Sequence, residues 1–179
     1  MYNRADFQES PMIHVCSLAA LHPTVAATGA SHVLTVMARV AQVQRPASVA
    51  EANHLRVEMD DITDELDGFN APSLDHIAKV LDFVRGWDRA APLVVHCYAG
   101  ISRSTASAFL AACALNPHRD EITIARQIRQ ASPSAFPNRR IVELADRALG
   151  RQGRMLRALD AIGPGTAVLE GAPFRVELE

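Results

Sequence analysis

Cys97 and Arg103, with five residues between them, stand in the stretch VVHCYAGISRSTASA (residues 94–108). The residue types around them suit the attack of a thiol on phosphorus. Gly100 lets the intervening loop curl, so that the amides of Tyr98, Ala99, Gly100, Ile101, Ser102 and Arg103 converge on one point as an anion nest. Arg103 adds a planar, permanently charged fork matched to two phosphate oxygens. A helix that begins near Arg103 turns its amino terminus, with free N–H groups and partial positive charge, toward Cys97. That field favours the thiolate, and a thiolate beside a phosphate cradle is a nucleophile. Ser104 can donate its hydroxyl to the sulfur and help it leave when a covalent intermediate breaks down. His96, just before the nucleophile, braces the loop through hydrogen bonds rather than exchanging protons. A buried structural cysteine would need none of these neighbours.

Such a loop must be carried by a strand and followed by a helix. Residues 93–96 (LVVH) are apolar and β-branched, as in a buried central strand, and Cys97 sits at the carboxyl end, where open α/β sheets bind ligands. Residues 12–16 (MIHVC) and 32–37 (HVLTVM) read as two further strands, separated by LAALHPTVAATG, helix-like but interrupted at Pro23 and closed by Gly29. Leu55, Val57 and Met59 alternate with His54, Arg56 and Glu58, a strand with one buried face that ends in the acidic loop DDITDELDG. LDHIAKVLDFVRGW puts its apolar residues on one helical face, and residues 103–115, 121–130 and 139–149 supply three more helices. In the last segment GRQGRMLRALDAIG reads as a helix broken by Gly163, Pro164 and Gly165. FRVELE then alternates like an edge strand, able to pair with its own sheet or with a neighbouring chain. The order predicts an α/β fold, a mostly parallel central sheet of four to five strands flanked by helices, in one domain over residues 1–179 with its core at about 12–149.

Composition narrows the function classes. A formal net charge of -2 gives no electrostatic support for a nucleic-acid partner. The first ten residues lack a secretory pattern, and no apolar run approaches the ~18 residues of a membrane span, which reads as a cytoplasmic protein. Cys16, Cys97 and Cys113 are widely spaced and odd in number, against a disulfide framework or a metal site. Lys79 is the only lysine, a bias toward arginine common in bacterial chains.

HCYAGISRS resembles the His-Cys-(x)5-Arg-Ser signature of the cysteine-dependent protein tyrosine phosphatases, and its AGISRS portion is most similar to the dual-specificity branch. The resemblance implies a general acid, an aspartate on a separate loop some thirty residues before the cysteine. DDITDELDGFN offers several. Continuing the alternation of Leu55, Val57 and Met59 selects Asp61, as does the family pattern, with Asp60 as the alternative. Asp61 lies 36 positions before Cys97, which implies a longer mobile acid loop, with Asp64, Glu65 and Asp67 as its solvated residues. QASPSAFPNRRIVELAD resembles the Pro-Asn turn and helix that these phosphatases set behind the phosphate loop, which makes Asn138 an anchor of that loop, a helix cap, or both. Cys16 and Cys113 read as core residues, with a resolving thiol for oxidised Cys97 as the other reading. Arg139 and Arg140 read as surface charges or as contacts to an acidic substrate.

The expected activity is hydrolysis of phosphate monoesters through a cysteinyl-phosphate intermediate, with phosphotyrosine in proteins as the substrate and phosphoserine or phosphothreonine as further ones. Arginine and amides supply the charge stabilisation, so no metal and no cofactor is expected. The phosphate loop holds no basic residue between Cys97 and Arg103, which points away from the alternative of a phosphoinositide or inositol phosphate substrate. A catalytically silent phosphate-binding module is the alternative of another class.

Overall fold

The computed structural model describes residues 12–179. Residues 1–11, which the sequence assigns to the same domain, lie outside the described residues. The chain runs β1 (Met12–Ser17), α1 (Leu21–Thr28), β2 (His32–Met37), β3 (His54–Glu58), α2 (Leu74–Gly86), β4 (Leu93–Cys97), α3 (Arg103–Leu115), α4 (Glu121–Ala131), α5 (Arg139–Ala148), α6 (Arg154–Ile162) and β5 (Phe174–Glu177). The sheet order is β3-β2-β4-β1-β5, parallel except where β5 pairs antiparallel with β1. FRVELE thus closes the edge of its own sheet.

β4 lies between β2 and β1, and all five of its residues are buried. Its Val-rich sequence suits a strand covered on both faces. One face packs on α1 through Leu21, Val25 and Val94. The other carries the main core, where α3 is buried along nearly its whole length. Small residues on α3 (Ala106, Ala108, Ala111 and Ala112) let the helix sit close against the sheet. That closeness directs its amino end at the carboxyl end of β4.

Three expectations change. Pro23 does not interrupt α1; it lies in the first turn, where its missing N–H costs no helical bond. The core is not confined to residues 12–149, because Met155, Val176 and Leu178 are buried within it. The amphipathic α6 covers α4 and α5 and is held by buried Glu121, which accepts from Arg151 at 2.9 Å and Arg154 at 3.1 Å. β3 buries both faces in part: Val57 on one, His54 on the other.

His54 belongs to a buried polar chain. Thr35 Oγ1 lies 2.8 Å from His54 Nε2 and 2.7 Å from His96 Nε2, and His96 Nδ1 faces the Cys97 carbonyl at 3.4 Å. With Nδ1–H of His96 donating to that carbonyl, the Thr35 hydroxyl donates to His96 and His54 Nε2–H donates to Thr35. His96, whose Nε2 accepts, must then be neutral, and the buried Nδ1 of His54 has no acceptor among the described residues that would favour a second proton. Burial pushes each down to about 4, reinforced at His54 by Arg56 and His96, and opposed at His96 by the bond to the Cys97 carbonyl.

An unfolded histidine binds its proton near pH 6.5, so the unfolded chain binds more protons than the folded one below that value. Stability is expected to fall as pH drops from about 6.5 to about 4. Urea midpoints across that window check this, and His54→Gln, which keeps a donor for Thr35, should flatten the slope by one proton. A wild-type profile flat over the window would contradict the neutral pair.

Candidate active site

The loop after β4 is shaped by where its carbonyls go. The Cys97 carbonyl faces His96, that of Tyr98 accepts from Leu18 N at 3.1 Å, and that of Ala99 from Gly171 N at 2.9 Å. The Ile101 carbonyl accepts from Phe136 N at 2.9 Å and from Thr105 Oγ1 at 2.5 Å, and the Ser102 carbonyl from Asn138 N at 3.3 Å. Peptide units are planar, so carbonyls held outward leave their N–H groups to point inward. Gly100, at φ +72, makes the bend; a Cβ there would stand 2.8 Å from backbone atoms of Cys16 and Ser17.

Cys97 lies at the base of this cradle, 2 % exposed, with its sulfur 3.1 Å from Ser104 Oγ and accepting from Gly100 N at 3.3 Å. Arg103 is buried; its NH1 donates to the Met59 carbonyl at 2.9 Å. Its buried Nε has no hydrogen-bond partner among the described residues, the Asp61 carboxylate standing 3.8 Å away, beyond bonding range. A buried cationic donor without a hydrogen bond, beside a loop whose carbonyls are tied outward, suits an incoming anion. Ala99, Ile101 and Ser102 are half-buried in the wall and Tyr98 is 68 % exposed at the rim.

The acid loop meets the cradle through Asp61. Its Oδ1 accepts from Ser102 Oγ at 2.7 Å and from Asn138 Nδ2 at 2.8 Å. Asp60 faces away and clips the loop's base, its carboxylate accepting from Asn70 N at 2.7 Å. Asn138 caps α5 by accepting from Ile141 N at 3.1 Å, and its amide spans from Asp61 to the Ile62 carbonyl at 3.3 Å. Its backbone touches the loop after β4, while its side chain holds Asp61.

The loop of Asp61 is braced rather than loose. Arg140 bonds the carbonyls of Pro72 at 2.7 Å and Thr63 at 3.3 Å, and the Glu65 carboxylate at 2.9 Å. Arg140 and Glu65, read from sequence as a surface or substrate-facing charge and a solvated acid, instead staple the loop to α5. Arg139 pairs with Asp160 at 2.6 Å. Cys16 and Cys113 are buried packing residues, and burial pushes their thiols up to about 11 and about 12.

Two hollows flank the cradle. A groove of about 920 Å³ runs beside Asp61 and Ser102, lined by Ile62, Leu66, Phe136 and Leu159. A cleft of about 280 Å³ opens on the other side, between Tyr98, Arg103 and the residues after β2. The sequence reading missed Gly171 and Glu170, which lie on a C-terminal strap crossing the loop. Glu170 accepts from Ser17 Oγ at 2.5 Å, and a Cβ on Gly171 would stand 2.9 Å from the Gly100 carbonyl oxygen. A glycine before Ala-Pro signals a close approach, but nothing local says to what. Thr35 was missed as well, being an ordinary strand residue in sequence.

The family described as protein-tyrosine phosphatase matches residues 67–140, a span that includes Cys97 and Arg103 and begins beyond Asp61. No curated protein matches the chain. Solved structures resemble it at low identity. The PTP-2 phosphatase of Cydia pomonella is 18 % identical with a TM-score of 0.60, over 82 % of this chain and 90 % of that one. Human DUSP28 is 20 % identical with a TM-score of 0.58, over 83 % and 99 %. The Yvh1 phosphatase domain of Chaetomium thermophilum is 19 % identical with a TM-score of 0.59, over 85 % and 96 %. At these identities the likeness establishes the fold.

Gly100→Ala is expected to lower kcat/KM on p-nitrophenyl phosphate by about 10², because the displaced loop misplaces the amides. Gly171→Ala, remote from any substrate, should lower it in the same sense by about tenfold while the circular dichroism spectrum is kept. Unchanged turnover in Gly171→Ala would show that the strap does not set the loop.

Proposed function

We propose that the chain, which has the dual-specificity phosphatase fold, is a cysteine-dependent protein tyrosine phosphatase that hydrolyses phosphotyrosine, and in addition phosphoserine or phosphothreonine, in proteins. The observation that carries this reading is the meeting at one loop of the Cys97 sulfur, which accepts from Gly100 N, the Arg103 Nε, which has no hydrogen bond, and the Asp61 carboxylate, 3.8 Å from that Nε. A nucleophile, an anion site and a proton carrier at one place are the parts of a double displacement.

The Cys97 sulfur attacks phosphorus in line with the ester oxygen; the new S–P bond forms as the P–O bond breaks. Arg103 and the inward amides hold the equatorial oxygens, whose charge grows toward the transition state. Asp61 delivers its proton to the departing oxygen. It then takes one from the water that attacks the cysteinyl phosphate, and phosphate leaves as the S–P bond breaks. Ser104, 3.1 Å from the sulfur, stabilises the departing thiolate by donating its hydroxyl. Ser102 and Asn138 aim the Asp61 carboxyl, and His96 steadies the Cys97 carbonyl. The groove beside Asp61, apolar at Ile62, Leu66, Phe136 and Leu159 and acidic at Asp64 and Asp160, suits a polypeptide flanking the phosphorylated residue better than a highly charged inositol ring.

Cys97→Ser is expected to abolish turnover of p-nitrophenyl phosphate, and EDTA to leave the wild type unaffected. Asp61→Asn should lower kcat by about 10², and by more on alkyl phosphates, whose leaving oxygen needs the proton most. Steady-state release of p-nitrophenol checks all three, and undiminished activity in Cys97→Ser would refute the mechanism.

A further inference from the structure

We propose that Arg39 and Arg103 form the two cationic walls of a subsite beside the phosphate cradle, which takes a second anionic group of a phosphoprotein substrate, a carboxylate or phosphate adjacent to the scissile phosphoester. This rests on the phosphatase reading above and narrows its substrate class.

The cleft of about 280 Å³ is bounded by Tyr98 and Arg103 on the cradle side and by Met37, Arg39 and Val43 on the other. None of its eight lining residues is acidic, and the two arginines are its only charged groups. The opposite groove has Asp61, Asp64 and Asp160 in its walls, and its one cation, Arg139, is bound to Asp160 at 2.6 Å. The mouth of the site is therefore polarised, acid-lined on one flank and cationic on the other.

Arg39 is held there by its backbone. It has φ 55 and ψ 42, a left-handed conformation that glycine adopts at less cost, just before the 3-10 turn Val40–Gln42. Its N–H donates to Glu58 Oε1 at 3.1 Å, so Glu58 meets the Arg39 backbone and makes no ion pair with the guanidinium. Among the described residues the Arg39 guanidinium makes no ion pair, although Arg45, Arg56, Arg119, Arg139, Arg140, Arg151, Arg154 and Arg175 all do. A side-chain-bearing residue in a glycine conformation at a functional cleft, with an uncommitted fork, is suited to an external anion.

The neutrality of the loop between Cys97 and Arg103 predicts a substrate with one phosphate. The fold alters that expectation by bringing a cation from the carboxyl end of β2, in line with the rule that places ligands beyond such ends.

Two pairs of phosphotyrosine peptides, each pair differing only in Glu against Gln on one side of the phosphorylated residue, test the proposal, with a doubly phosphorylated peptide as a third arm. Wild type should favour the acidic peptide on one side by about fivefold in kcat/KM, chiefly through KM. Arg39→Gln should erase the preference and Arg39→Glu reverse it, with p-nitrophenyl phosphate turnover within about twofold throughout. Arg39→Gly suits the left-handed backbone and removes the charge, so it should behave as Arg39→Gln even where that variant folds poorly. A greater gain for the doubly phosphorylated peptide than for the Glu peptide would identify phosphate as the preferred anion, and the reverse would identify carboxylate; either supports the subsite. Equal use of Glu and Gln peptides by the wild type, or a preference retained in Arg39→Gly, would overturn it. So would preferred hydrolysis of inositol polyphosphates that Arg39→Gln removes. Absence of any p-nitrophenyl phosphate turnover by the wild type would instead refute the phosphatase reading beneath it.

Discussion

The outward tethering of the carbonyls of Tyr98, Ala99, Ile101 and Ser102 is the constraint on which the site depends. An isolated loop of this length would turn some carbonyls inward, where they would repel an anion and the thiolate alike. Here each tether comes from a different part of the chain: Leu18 after β1, Gly171 on the C-terminal strap, Phe136 and Asn138 before α5, Thr105 on α3. The elements around the loop thus act as its mould. They also give meaning to α6 and β5, whose burial in the main core fixes the two ends of the strap that carries Gly171.

The acid is coupled to the same mould. Asn138 ties three things at once, capping α5 with its oxygen, holding Asp61 with its amide, and meeting the Ser102 carbonyl with its backbone. A shift of the phosphate loop therefore moves the acid with it. The loop from Asp60 to Asn70 lacks regular structure, yet the Asp60 clip and the Arg140 staple restrict it on both sides. Its length serves to reach the cradle from β3, and the staples recover the order that length would lose.

Much of this was legible from residues alone, because the decisive signals are local. The β4 apolar run, Gly100 and the start of α3 lie within a dozen positions, so strand, curl and helix follow from periodicity and glycine chemistry, and Asp61 follows from the parity of Leu55, Val57 and Met59. What was not legible is non-local. Nothing near Gly171 indicates contact with Gly100, and nothing near Arg140 indicates that its partner is Glu65 rather than solvent or substrate. His54 escaped for a related reason. Polar alternation predicts exposure, and only the pairing of β3 with β2 gives it Thr35 as a partner and permits its burial. Pro23 reads as a break because the helix-like segment starts at Leu18 in sequence, whereas α1 begins three residues later at Leu21, which makes Pro23 a tolerated first-turn proline.

Arginine, rather than lysine, is what allows one side chain to serve both structure and chemistry here. Arg103 uses NH1 to hold the Met59 carbonyl, at the point where β3 passes into the acid loop, and still has Nε free toward the cradle. A lysine ammonium is a single point charge and would have to choose between the two. Because the fork is rigid, fixing NH1 on the acid loop also fixes where Nε points, so the anion site and the loop that carries Asp61 are aligned by the same guanidinium. The distance of 3.8 Å between Nε and Asp61 follows from that alignment: near enough for the charges to attract, too far for a bond that would satisfy the donor. That Nε therefore has no hydrogen bond to give up to an anion, while Ser102 and Asn138 hold Asp61 from its other side.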